Sequence, residues 1–224
     1  MDKEQDKISK SSMDKEFTEE LTKPSIDLSV DYSEIFIDDI IDNEFLKDIP
    51  IVKTIVGAVN VGRSINQLWF AKKILTFIKE FNSGDIKTEK LTEFKEKLAK
   101  EPKFRQRMTE QVMIFNERFI EITKSKISAQ LLVSYVNQEI SYDEFISLNI
   151  SLDRLHPDSY TFLKTLAETE YKVDEEKKGE KNFDAQSLLL SSGLARETSS
   201  WSHGFEVKPE GIKLFEHGIK KIKN

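Results

Sequence analysis

The residues able to do chemistry in this chain are few and scattered. His156, His203 and His217 are its only histidines, and none has a second His at metal-ligand spacing; cysteine is absent. Thiolate metal sites, disulfides and cysteine nucleophiles are therefore excluded together. Ser and Thr are frequent, but no Gly-x-Ser-x-Gly elbow and no glycine-rich phosphate loop occurs. Carboxylates are abundant, and their spacing places most of them on the solvated faces of helices. The expectation is a non-enzymatic protein with no metal and no cofactor.

Two short matches have simpler explanations. His156-Pro157-Asp158 spells the tripeptide of J-domain co-chaperones, but the preceding Leu148–Leu155 lacks the basic helix those domains present. A loop residue followed by proline at the start of a helix accounts for it. Ile140–Phe145 is similar to the end of a calcium-binding EF-hand loop with Glu144 as last ligand. Counting back, however, puts Val133 and Tyr135 where oxygen ligands belong and Gln138 where glycine belongs. Ser141 and Glu144 instead have the spacing of a capping box that starts a helix at Tyr142.

The elements that must position any site follow from hydrophobic periodicity. With 8 Gly, 5 Pro and 33% charged residues among 224, the composition is that of a mostly helical protein with enough apolar residues (38%) for a core. Met1–Asp31 is polar and acidic, with no export-signal pattern, and is expected to be a disordered or loosely docked tail. A short helix is predicted around Ile35, Phe36, Ile40, Ile41 and Phe45, with its acids facing water. Ile49–Gly62 is the most apolar window, and Lys53, Asn60 and Arg63 interrupt it before the roughly 20 residues a bilayer span needs; a buried helix is expected.

Ser64–Phe81 has the strongest amphipathic pattern. Leu68, Phe70, Ile74, Leu75, Phe77, Ile78 and Phe81 share one half, and Asn66, Lys72, Lys73, Lys79 and Glu80 the other. Trp69 and Ile65 fall within that polar half, one turn apart, which predicts a second contact surface. Further helices are expected to end near Lys100, to restart at Pro102 with one stripe through Phe104, Met108, Val112, Phe115, Phe119 and Ile122, and to cover Ile127–Val136, Tyr142–Ile150 and a segment opened by Pro157. The polar run Lys172–Asn182 reads as a loop.

The last segment has a distinct order. Asp184–Ser192 is an apolar helix stopped by Gly193; Leu194–Ser199 and Phe205–Lys208 are strand-like; Pro209 opens a closing helix with Ile212, Phe215, Ile219 and Ile222 on one face. This order resembles the back half of a winged helix. The candidate recognition helix has no Arg or Lys, so the cations that pair with DNA phosphates are missing and sequence-specific DNA binding is not expected.

Charge is uneven. Met1–Pro50 holds 6 Lys against 15 acids, Ile51–Gln130 holds 16 basic residues against 9 acids, and the remainder 12 against 16. An acidic segment shielding a basic surface of the same chain is the preferred reading.

The expected architecture is thus mainly α: an acidic tail (1–31), a helical bundle (32–171), a polar loop (172–181) and a winged-helix-like subdomain with a small β-ribbon (182–224). The candidate interaction surface comprises Ile65, Trp69, Lys72, Lys73, Leu188 and Trp201. Glu101–Leu166, with Glu-Pro-Lys-Phe-Arg at its start, Ala129–Val136, Ile140–Phe145 and Leu152-Asp-Arg-Leu155, resembles bacterial helical proteins of mobile and defence-associated regions. The broader layout is distantly similar to the Abi-alpha proteins linked to abortive phage infection. That resemblance implies a bacterial, phage-related role and transfers no site residues; with the absence of cysteine and the apolar recognition helix, the expectation is a cytoplasmic protein-interaction or regulatory component of a phage-defence or mobile-element system, acting by self-association or on a protein partner. A membrane-acting effector using 49–81, peripheral to the bilayer, and a DNA-binding winged-helix regulator are the alternatives.

Overall fold

The computed structural model describes residues 13–57, 65–168, 183–199 and 204–222. The chain is mainly helical, with one two-stranded antiparallel ribbon near its C-terminus. It divides into two compact units, Met1–Glu139 and Ile140–Asn224. The division falls at the start of the capping box rather than after Tyr171, so two helices expected in the bundle belong with the ribbon. Lys172–Asn182 lies within residues outside the description.

In the first unit the acidic tail is the main correction. Residues 13–22 form a helix, α1, and Phe17, Leu21, Ile26 and Tyr32 are buried. The polar composition hides four large side chains, three of them spaced closely enough to meet one core. The Phe17 ring lies 6.1 Å from that of Phe77, and Glu16 accepts a hydrogen bond from Thr54. The next segment is not the continuous amphipathic helix predicted for it. Asp27 and Asp31 each accept bonds from the backbone and hydroxyl of the serine two residues on, Ser29 and Ser33. Such Asx turns compete with helix, and only α2 (Asp39–Asp42) and α3 (Glu44–Asp48) form. Phe36 (79% exposed) and Phe45 (51%) point outward instead of into the core.

Then follow α4 (Pro50–Gly57), α5 (Ile65–Asn82), α6 (Thr88–Lys100), α7 (Pro102–Arg118) and α8 (Ile122–Val136). Helix α5 is the hub: it runs against α8 over most of its length and also touches α4 and α7. Its apolar half is buried except for half-buried Phe70, and Lys72, Lys73 and Glu80 of the supposed polar half are buried too. The stripe from Phe104 to Ile122 is not carried by one helix. It breaks at Phe119, whose extended backbone ends α7 before α8 begins. Past α8, the Asn137 side chain accepts from the Lys87 amide (3.0 Å) and donates to the Asp85 carbonyl (2.8 Å), tying the α5–α6 loop to the end of α8.

The second unit comprises α9 (Tyr142–Arg154), α10 (Asp158–Glu168), α11 (Phe183–Ser191), β1 (Ala195–Ser199), β2 (Gly204–Val207), α12 (Pro209–His217) and a closing 3-10 turn (Ile219–Lys221). The capping box is formed: Ser141 accepts from the Glu144 amide, and the Glu144 carboxylate accepts from the Ser141 amide. Gly193, at φ +79°, ends α11, as only glycine adopts that conformation without strain. The ribbon pairs Ala195 with Val207 and Arg196 with Glu206, the latter also as an ion pair at 2.8 Å. The closing helix is shorter than its apolar pattern, because Gly218 interrupts it before Ile219 and Ile222.

The box has a consequence in acid. Lys213 of α12 pairs with Glu144, and this bond, with those from Ser141, holds the Glu144 carboxyl down to about 2 from 4.5. A carboxylate lowered in the folded state stabilises the fold fully above about pH 4.5, and that contribution disappears as pH falls toward 2. Titration of Glu144 by carboxyl NMR should therefore give a midpoint near 2, moved back toward the ordinary range by Lys213→Met. An ordinary midpoint in the native protein would show that the pair does not form.

Candidate interaction surface

Of the six residues expected to form one surface, four lie on α5 of the first unit, Leu188 belongs to the second unit and Trp201 lies outside the described residues. Ile65, Trp69 and Lys72 come together near the start of α5. Ile65 is 72% exposed, Trp69 is half-buried, and the Lys72 Nζ lies 5.3 Å from the centre of the Trp69 ring, close enough for a cation–π contact. Lys72 itself is buried, which lowers its pKa, while Asp31 and Asp39 counteract the shift. The acidic N-terminal segment therefore faces part of the basic helix within one unit, and Asp31 also pairs with Lys126 of α8 at 3.4 Å.

Lys73, the next residue, points the other way. It is 2% exposed, and its ammonium donates to the carbonyls of Phe119 (2.6 Å) and Glu117 (3.1 Å). A cation at the end of α7 satisfies carbonyls that have no partner within the helix and suits the negative end of its dipole. Burial pushes the Lys73 amine down to about 8, with Glu117 opposing the shift. Lys73 is thus a structural cap and is removed from the interaction surface. A lysine at helical spacing beside charged neighbours gives no sign of this, since its partners lie 44 and 46 residues away.

Leu188 is half-buried on α11 of the second unit, away from any of the α5 residues in sequence and in a separate unit. Trp201 lies outside the described residues.

Periodicity missed a cleft in the first unit. A cavity of about 400 Å³ opens between the Asx-turn segment and α3, lined by Asp27, Val30, Tyr32, Ile35, Asp39, Asn43, Phe45 and Leu46. Its polar groups also build its walls. Asn43 caps α3 by accepting from the Phe45 and Leu46 amides, Asp39 accepts from the Phe36 amide, and Asp27 holds the Ser29 turn. The signal that could have revealed it is the repeated Asp-x-Ser, which turns the chain twice and leaves the following aromatics without a helix to bury them. Among the described residues no group of three or more His, Asp or Glu comes together as a metal-holding cluster, and no helix is long and apolar enough to cross a membrane.

No family model, curated protein or solved structure matches this chain.

Proposed function

We propose that the chain is a protein-interaction component, working through its first unit rather than by catalysis. The observation that carries this reading is Ile65. A large aliphatic side chain at the start of the hub helix stays 72% exposed beside a half-buried tryptophan. Isolated exposed apolar residues are ordinary, but an aliphatic next to an aromatic is the composition of an interface core. Lys72, itself buried, holds the indole by a cation–π contact, and Trp recurs among residues that dominate binding energy. The resemblance to defence-associated and Abi-alpha proteins supplies the setting for this reading, a phage-defence or mobile-element system in a bacterial cytoplasm. A DNA-reading role is less favoured, because Phe183–Ser191 carries no Lys or Arg to meet phosphates.

Ile65→Ser is the direct test, since an exposed position tolerates the change within about 0.5 kcal/mol. The expected result is an unchanged melting temperature together with loss of concentration-dependent sedimentation, or of a partner that co-purifies stoichiometrically with the wild type. Wild-type behaviour of the variant in both assays would refute the reading.

A further inference from the structure

We infer that the cleft between the Asx-turn segment and α3 is a docking groove for a cationic amphipathic helical segment of a partner protein. The inference rests on the interaction reading above and names a partner chemistry for it.

Two features of the cleft coincide. Val30, Ile35, Phe45 and Leu46 give it apolar walls, and Phe45 stays 51% exposed, more than a core aromatic shows. Its volume of about 400 Å³ falls in the range of roughly 300–1,000 Å³ that receives a buried group. The surrounding chain is strongly acidic: from Asp27 to Asp48 there are eight carboxylates and a single lysine, Lys47.

One of the two carboxylates that line the cleft is not exhausted by its turn. Asp27 uses Oδ1 for both Ser29 bonds, which leaves its Oδ2 for a cation, while Asp39 uses Oδ2 for the Phe36 amide and already faces the Lys72 ammonium. The Ser29 bonds hold the Asp27 carboxyl below its ordinary range, so it is ionised at neutral pH. Tyr32, wholly buried against the cleft, has a hydroxyl that finds no acceptor among the described residues.

An apolar trough inside a carboxylate rim selects its occupant by both properties. An anionic membrane or a nucleic acid is repelled by the rim, and an uncharged apolar helix forgoes the attraction. A helix with large apolar side chains at i, i+3, i+4 and Lys or Arg beside them satisfies both, the apolar residues entering the trough and the cations meeting the rim. Exposed Phe45 adds an aromatic face to which ammonium or guanidinium groups bind.

The test uses the full chain and a fluorescein-labelled helical peptide of Lys and Leu in amphipathic register, with a Glu/Leu peptide of the same register as control, followed by anisotropy. Saturable binding of the Lys/Leu peptide, weakening as salt rises, and no binding of the Glu/Leu peptide are expected. Phe45→Ser should weaken binding about tenfold by removing an apolar wall. Independently, Glu34→Gln with Asp38→Asn and Asp42→Asn, three exposed carboxylates of the same acidic segment, should lower the local negative charge, flatten the salt dependence and weaken binding about tenfold. If Phe45→Ser alters the fold by circular dichroism, the charge variant decides. Absence of saturable binding at low salt, equal binding of the Glu/Leu peptide, or wild-type affinity in the charge variant would overturn the inference. Loss of association in Ile65→Ser alongside such a failure would leave the interaction reading standing and reject only this groove; wild-type behaviour of Ile65→Ser would reject both.

Discussion

Phe17→Ala should destabilise the first unit by about 4 kcal/mol, and a truncation beginning at Tyr32 should prevent that unit from folding cooperatively. Phe17 is 1% exposed and its ring meets Phe77 of the hub helix; truncating a buried phenylalanine costs roughly 3–5 kcal/mol through lost transfer energy and the cavity left behind. The truncation also removes Leu21 and Ile26, and three such losses are comparable with the whole stability of a domain, about 5–15 kcal/mol. Urea denaturation followed by circular dichroism measures both. An unchanged midpoint in Phe17→Ala would mean that α1 does not dock.

Lys73 should make stability rise with alkalinity. The folded protein releases the Lys73 proton at about 8, whereas an unburied lysine keeps it to 10.5. Between those values the unfolded chain binds more protons, so each increment of pH favours the fold. Below about 8 the fold carries the cost of a buried ammonium, and that cost is relieved by 10.5. The full span is on the order of 3 kcal/mol at 1.36 kcal/mol per unit. Lys73→Met keeps the stem and removes the titrating group, so the stability of the wild type relative to this variant should climb from pH 7 to 10.5. A flat difference would show that the amine is solvated. The neutral amine still donates to Glu117 and Phe119, so the cap on α7 survives deprotonation.

Both effects were invisible to periodicity for the same reason. A helical wheel places Lys72, Lys73 and Glu80 on a polar face and assigns that face to water, but α5 is covered on that side as well. Glu80 is tolerated there because the Gln130 side chain donates to it at 2.6 Å, and Lys73 because two carbonyls receive its charge. Burial of a charge becomes acceptable only once partners from elsewhere in the chain are in place, and such pairing has no local signature. The acidic tail follows the same rule. Phe17, Leu21 and Ile26 are too sparse to define a core among themselves, yet sufficient to join one already built by α5.

By itself the sequence determined the features that close over a few residues. The mainly helical class, the capping box at Ser141 and Glu144, the stop at Gly193, the short ribbon and the helix opened at Pro209 each depend on backbone groups and side chains within one or two turns, where propensity and turn chemistry act. Tertiary structure alone decided that Lys73 is a cap and not a surface cation, that α7 ends at Phe119, that α9 and α10 join the ribbon's unit, and that Phe45 lines a cleft. Those outcomes depend on which distant segment supplies a carbonyl, a carboxylate or an apolar face. The free energy of burial belongs to the pair of surfaces brought together, so neither sequence segment expresses it alone.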